Sequence, residues 1–286
     1  MKIALCNEVL GKMPFAEQCD HARMLGYDAL EVAPFTLSDE PHRMTAVERA
    51  RARRSADEAG IAIVGLHRLL QTPKNLSITA PDAGVRRTTV NVMRHLIDLC
   101  ADLGGGIIVH GAPRQRIVAP GDTVEAAWAR ARDCFAQVAE HAAAAGVMYC
   151  IEPLPPTETQ LINSLEDAAR MISDVRHMAV RSMIDSGASS RTETAAVAEL
   201  IDKWMPTGLV RHIQISDRNR RGPGQGEDRF APVFAALLRN GYDGAVSVEP
   251  FDLEPDGPGA AARSIGYVRG ILEALVQSQR RPGHVS

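Results

Sequence analysis

The strongest constraint on this chain is a recurring order: a helix-like stretch stops at a glycine, and a short apolar, β-rich run follows at once. Gly26-Tyr-Asp-Ala-Leu-Glu-Val, Gly60-Ile-Ala-Ile-Val-Gly-Leu-His67, Gly146-Val-Met-Tyr-Cys-Ile-Glu152 and Gly241-Tyr-Asp-Gly-Ala-Val-Ser-Val-Glu249 all follow it. Glycine accepts the left-handed backbone that ends a helix. The run after it is apolar without strict alternation, as in a strand covered on both faces. Strands are predicted at 2–7, 28–33, 61–66, 106–110, 147–152, 180–185, 209–215 and 244–249. Helical spacing fills the gaps. In 123–145, Val124, Trp128, Ala131, Phe135, Val138 and Ala142 recur three and four apart, and 87–103, 164–175, 193–204 and 257–276 read the same way. Asn163-Ser164 before Glu166 and Asp167 offers a helix N-cap with acids in the first turn.

Eight alternations of strand and helix predict an α/β fold, the closed (β/α)8 TIM barrel. An open doubly wound sheet normally carries a glycine-rich turn after its first strand, and Glu8 to Met13 holds no GxGxxG. No linker divides the chain, so residues 1–277 are read as one barrel domain and 278–286 as a flexible C-terminal tail. The longer connections, 68–86, 111–122, 216–228 and 250–257, all follow strands and so fall at the carboxyl end of the barrel, where barrel enzymes build their sites. A formal charge of −3 gives no broad basic field, which argues against nucleic acid as a partner. The run Arg51–Arg54 is read as a solvated helix face. Five cysteines with no CxxC spacing are read as buried thiols of a reducing compartment. The start is too soon interrupted for a secretory signal and no stretch is long enough to span a bilayer, so a cytoplasmic protein is expected.

The acids carry the functional reading. Glu152, Asp185 and Glu249 end the fifth, sixth and eighth predicted strands, and Gln214 lies near the end of the seventh. A carboxylate at the end of an apolar run is costly unless something compensates it. Three on neighbouring strands, with an amide, form an oxygen-rich set that suits Mg²⁺ or Mn²⁺ better than zinc. His67 and His110 end the third and fourth strands and face the same end, as substrate contacts or as satisfied core residues. His212 is placed one layer below Gln214, orienting a carboxylate. Glu8 and Glu31 have substrate contact and structural roles equally open. Arg114 and Arg116, like the loop Arg218–Arg221, can hold hydroxyls or a phosphate of a small ligand.

Several longer motifs add to this. They are Gly65-Leu-His-Arg-Leu-Leu70, Leu103-Gly-Gly-Gly-Ile-Ile-Val-His-Gly-Ala-Pro-Arg-Gln-Arg116, Ile151-Glu-Pro-Leu-Pro-Pro-Thr-Glu-Thr159, Asp217-Arg-Asn-Arg-Arg-Gly-Pro-Gly-Gln-Gly226 and Ser247-Val-Glu-Pro250. Over nearly its whole length the chain resembles the xylose isomerase-like TIM barrel superfamily, in its sugar phosphate isomerase/epimerase branch, and among these the ketose 3-epimerases. The resemblance implies that Glu152 and Glu249 both bind metal and exchange protons with the sugar, and that Asp185 is a further ligand. Glu158 closes over the substrate end, and Arg220 supports a substrate oxygen or the second glutamate. It also implies an Mn²⁺ or Mg²⁺ cofactor, a small sugar-like substrate, proton transfer through an enediolate, and a homodimer or homotetramer. Two positions depart from the pattern. Gln214 stands where the family usually has a ligand histidine, and Ala188 where it often has a substrate-contacting histidine. A metal-dependent lyase or dehydratase on a polyhydroxy keto compound, and a sugar-binding barrel without turnover, are the alternatives.

Overall fold

The computed structural model describes residues 1–279; the part of the predicted tail at 280–286 lies outside the described residues. Eight parallel strands form a closed barrel in chain order: β1 (Lys2–Cys6), β2 (Ala29–Val32), β3 (Ala62–Leu66), β4 (Ile107–His110), β5 (Met148–Ile151), β6 (Val180–Asp185), β7 (Val210–Ile215) and β8 (Ala245–Val248), with β8 pairing back onto β1. The eight predicted strands are all present, most a residue or two shorter than predicted. Closure leaves no open sheet edge.

The helices are α1 (Phe15–Leu25), α2 (Ala46–Ala59), α3 (Ala83–Asp102), α4 (Val124–Ala144), α5 (Leu165–Val175), α6 (Ser186–Thr192), α7 (Val197–Trp204), α8 (Ala231–Arg239) and α9 (Gly257–Gln279). Ser164 caps α5 as its sequence suggests: its hydroxyl accepts from the Asp167 amide at 3.1 Å, and the Asp167 carboxylate accepts from the Ser164 amide. The predicted helix 193–204 is present only as α7 from Val197, and the unpredicted α6 precedes it; between them Glu193 leaves helical geometry and its carboxylate accepts from the Leu165 amide at 2.8 Å. Helix α9 continues through Ser278 to Gln279, beyond the predicted 257–276. Among the described residues no helix is long and apolar enough to cross a membrane. All five cysteines are buried and unpaired.

Which side chains enter the barrel follows from the register, because registered neighbours in a parallel sheet share a face. Val109 is registered with Cys150, Met183 with His212, Asp185 with Gln214, and Gln214 with Ser247. Across the closure Ser247 meets Ala4, which meets Ala29, and Cys6 meets Glu31. Val109, Cys150 and Met183 pack with Ile107 and Met148 as a small apolar cluster separate from the main core. That cluster is the barrel interior; the main core lies between the strands and the helices. At Gly65 on β3 a Cβ would stand 2.1 Å from the Ile107 oxygen, so only glycine permits β3 and β4 to approach.

Candidate active site

A cavity of about 590 Å³ opens at the carboxyl end of the strands, a size that suits a small-molecule ligand. Glu152, Gln214, Glu249 and His67 line its inner wall, and Glu158, Arg114 and Arg220 its mouth. Glu152 follows β5 on the inward face shared with Cys150, and its amide continues the ladder to the His110 carbonyl at 3.3 Å. Its carboxylate lies over Gly111, where a Cβ would stand 2.3 Å from Glu152 Oε2. Asp185 ends β6 beside Gln214; its Oδ1 accepts from the Gly187 amide at 2.8 Å. Glu249 follows β8, and its amide donates to the Ile215 carbonyl at 3.1 Å.

The three acids are buried, and each resists ionisation. Burial pushes the Glu152 carboxyl well above the usual range, and the charges of Asp185 and Glu249 push it further. Burial raises Asp185 to about 6 against the pull of the Gly187 and Ala188 amides. It raises Glu249 to about 7 although His67 opposes it, with Asp185 adding repulsion. Mutual repulsion among like charges in a dry wall is what a bound cation relieves.

Around these acids lie two hydrogen-bonded networks. His67 bridges two carboxylates, with Nδ1 3.0 Å from Glu249 Oε1 and Nε2 2.9 Å from Glu8 Oε2. Burial disfavours its charge, but Cys6, Glu8 and Glu249 outweigh that and raise its pKa well above the ordinary value. Deeper in the barrel Glu31 faces His212 Nε2 at 2.9 Å and accepts from Gln214 Nε2 at 3.2 Å. Burial alone would raise Glu31, but His212 and its hydrogen bond hold it down at about 2. This fixes the Gln214 amide: its NH₂ is spent on Glu31, and its Oε1 is a buried acceptor with no partner.

That orphaned oxygen, with three carboxylates that repel one another, is a donor set suited to a hard divalent cation. The acids are not drawn tightly together. Among the described residues, the group whose donor atoms all lie within 4.8 Å of one another is Cys6, His67 and Glu249, because Glu249 is turned onto His67.

Two predicted substrate contacts sit elsewhere. His110 is registered with Ile151 on the outward face of the sheet, packs edge-on against Phe135 of α4 at 5.1 Å, and has Nδ1 2.8 Å from the Tyr149 hydroxyl. Burial and the nearby Arg116 charge lower its pKa to about 3, so the ring is neutral. Arg116 is fully buried behind the cavity wall and donates from Nη2 to the Glu152 carbonyl at 2.7 Å, holding the strand end rather than facing the cavity. Burial lowers its pKa to about 10 against the attraction of Glu152 and Glu158, so it remains a cation. Arg114 and Arg220 do line the cavity, as does Glu158, which lies 3.6 Å from Arg191. Ala188 is buried in α6 and its side chain offers no polar contact. The cavity also recruits Arg68, which lies within the motif Gly65–Leu70 but has no predicted role, and Lys74 and Phe251, which no motif marks; the length of the loop after β3 was the one signal for Lys74.

Residues 19–271 match the xylose isomerase-like TIM barrel family, and the chain belongs to it. Within that family it is similar to named ketose epimerases. It is 27% identical over 237 residues to the D-psicose 3-epimerase of Ruminiclostridium cellulolyticum, covering 79% of this chain and 75% of the relative. It is 30% identical to the L-ribulose 3-epimerase of Mesorhizobium japonicum over 71% of this chain and 66% of that one. In fold it superposes on a D-psicose 3-epimerase crystallised in the presence of D-fructose, with a TM-score of 0.82 at 22% identity over 95% of this chain and 99% of that one.

Proposed function

We propose that this chain is a divalent-metal-dependent epimerase or isomerase of a ketose-like sugar, moving a proton on the carbon beside the carbonyl. The observation that carries the reading is the pair Glu152 and Glu249, buried carboxylates from β5 and β8 that enter one cavity from well-separated strands. Similarity to ketose 3-epimerases supports it. Glu152, Asp185, Glu249 and the Oε1 of Gln214 are the residues that would hold Mn²⁺ or Mg²⁺. Such an ion supplies Lewis-acid stabilisation of the negative charge that develops on the carbonyl oxygen.

The chain's own residues do the rest. One of Glu152 and Glu249 takes the carbon-bound proton, and the other returns a proton to the opposite face, which inverts that carbon. Return to the neighbouring carbon would give the aldose–ketose shift instead. In the metal-free protein burial raises both carboxyls, Glu249 to about 7 and Glu152 well above the usual range; with a cation bound both ionise, and each is then able to accept a proton. His67 orients Glu249, Gly111 leaves room for Glu152, and Arg116 fixes the end of β5. Glu158 and Arg220 at the mouth contact substrate oxygens. Five buried thiols suit the reducing cytoplasm as the compartment.

The test is solvent exchange. The Mn²⁺-loaded chain is incubated with ketoses in D₂O, and deuterium at C3 together with the epimer is followed by NMR. Exchange that disappears in Glu152→Gln and Glu249→Gln is expected. Absence of exchange into every ketose and keto-acid offered, with metal bound, refutes the reading.

A further inference from the structure

Proton transfer beside a carbonyl accounts for the acidic floor of the cavity but not for its rim. Arg68 and Lys74 from the loop after β3, Arg114 from the loop after β4 and Arg220 from the loop after β7 all line it. Along Arg218–Arg221 the pairing differs with position. In the β7 loop, Arg218 and Arg221 do not line the cavity and both are neutralised. Arg218 lies 2.6 Å from Asp228, and Arg221 lies 2.9 Å from Asp252 and also contacts Glu254. Arg220, between them in sequence and facing the cavity, has no carboxylate within 4.0 Å among the described residues. The same is true of Lys74 and Arg114. Arg68 is 3.6 Å from Glu8. The rim acid Glu158 is matched by Arg191.

The rim cations are also held in place. The Arg220 guanidinium lies 4.8 Å over the Phe251 ring and that of Arg68 lies 5.5 Å over Phe35. Both residues have positive φ, 70° and 49°, a conformation side chains rarely adopt and one that clusters at ligand sites. A neutral ketose has hydroxyls that any polar side chain can satisfy, and needs no convergence of unpaired cations. An oxyanion does, and the guanidinium fork matches its geometry.

Building on the epimerase reading, we infer that the sugar this cavity takes carries an anionic group, a phosphate or a carboxylate, at the end remote from the reacting carbons, received by Lys74, Arg114 and Arg220. The carboxylates of the floor would repel such a group, so the same charge pattern fixes which end of the substrate enters first. Acid floor and basic rim together set the direction of binding.

The experiment compares D-fructose, D-fructose 6-phosphate and D-fructuronate with the Mn²⁺-loaded full chain, by calorimetric binding and by deuterium entry at C3. At least one anionic probe is expected to bind about tenfold or more tighter than D-fructose. That preference should shrink with added salt. The phosphate and carboxylate arms separate the two sources of charge. In the triple variant Lys74→Gln, Arg114→Gln, Arg220→Gln the ratio between anionic and neutral probes should collapse toward one. If that variant does not fold, the salt dependence and probe ratio of the unaltered chain decide alone. Binding of both anionic probes no tighter than D-fructose overturns the inference, and exchange into D-fructose in that case leaves the epimerase reading standing. Preferential binding of an anionic probe with no exchange into any of the three upholds the inference, and the epimerase reading then falls only if the wider set of ketoses and keto-acids also fails to exchange.

Discussion

If the acids of the cavity are held for a cation, stabilisation by that cation must grow with pH by an amount the site itself sets. In the metal-free protein Asp185 titrates at about 6 against an ordinary 3.8, and Glu249 at about 7 against 4.5. A carboxyl raised in the folded state keeps its proton after the unfolded chain has lost it, so stability falls as pH climbs from the ordinary value to the folded one. Starting at pH 5.5, half a unit remains on Asp185 and one and a half on Glu249. At about 1.4 kcal/mol per unit, the two together cost the metal-free protein about 3 kcal/mol by pH 8. Glu152, raised further, adds to the loss. Glu31 titrates at about 2 and its stabilisation is complete above its ordinary 4.5, below this window. His110, held at about 3, works the other way: it destabilises at low pH and ceases to as pH rises to its ordinary 6.5. His110 lies outside the barrel, so it cancels when EDTA-treated and Mn²⁺-loaded samples are compared at each pH. Bound acids stay ionised, so the loaded protein escapes the carboxylate penalty. The expected result is a difference in melting temperature that widens by roughly 6 °C from pH 5.5 to 8. Glu249→Gln should remove most of the widening. A difference that stays flat or narrows over this range refutes the idea that these acids share a cation.

Chelation should abolish epimerase turnover and Mn²⁺ or Mg²⁺ restore it; activity unchanged after exhaustive EDTA dialysis would remove the metal from the mechanism. Glu152→Gln should lower kcat by about 10²–10⁴, the usual worth of a positioned acid or base, while raising the melting temperature of the metal-free protein because a carboxyl that ionises more readily in the unfolded chain is gone. A kcat within threefold of the parent contradicts the role. Gly111→Ala sets a methyl 2.3 Å from Glu152 Oε2, so the carboxylate must move. A displacement of that kind costs about 10² in rate with the far-ultraviolet dichroism unchanged. His67→Ala strips Glu8 and Glu249 of their shared partner and should cost about 3–5 kcal/mol in urea unfolding. A loss below 1 kcal/mol would mean that water replaces the ring at no cost.

The barrel was legible because its strands are apolar on both faces and end at glycines or at polar residues, signals that survive in one dimension. Helices α1, α2 and α8 were marked by the glycines after them but not given bounds, for a physical reason. Helix α2 buries only Ala52 and Ala56 and is rich in charge elsewhere, and α1 buries Gln18, Cys19 and Ala22, so neither shows a large apolar stripe. Helix α8 is short, and Pro232 near its start looks like a breaker although proline is welcome in a first turn. The late start of α7 relative to 193–204 goes with Glu193 reaching the Leu165 amide, a contact from another loop that periodicity cannot register.

In the site, what was hidden is parity. Glu152, Asp185, Gln214 and Glu249 stand out because each marks the polar end of an apolar strand, and the register brings them to the inward face. His110 marks the end of β4 in the same way, yet it alternates with Val109, and Val109 is the residue that points inward. A shift of one residue in a strand exchanges the cavity wall for the helix layer, and single-strand reading has no reference for the zero of that count. The reference comes only from neighbours: Cys150 fixes Val109, and Met183 fixes His212. Closure hides the rest. Glu8, His67 and Glu249 come from β1, β3 and β8, and Glu31, His212 and Gln214 from β2 and β7, so their contacts exist only once the sheet meets itself. That geometry also gives the departure at position 214 a physical account. A histidine there would face Glu31, which already holds His212, whereas glutamine gives its NH₂ to Glu31 and keeps an oxygen for the cavity. The substitution keeps a donor atom at the wall while leaving the buried acid beneath it satisfied.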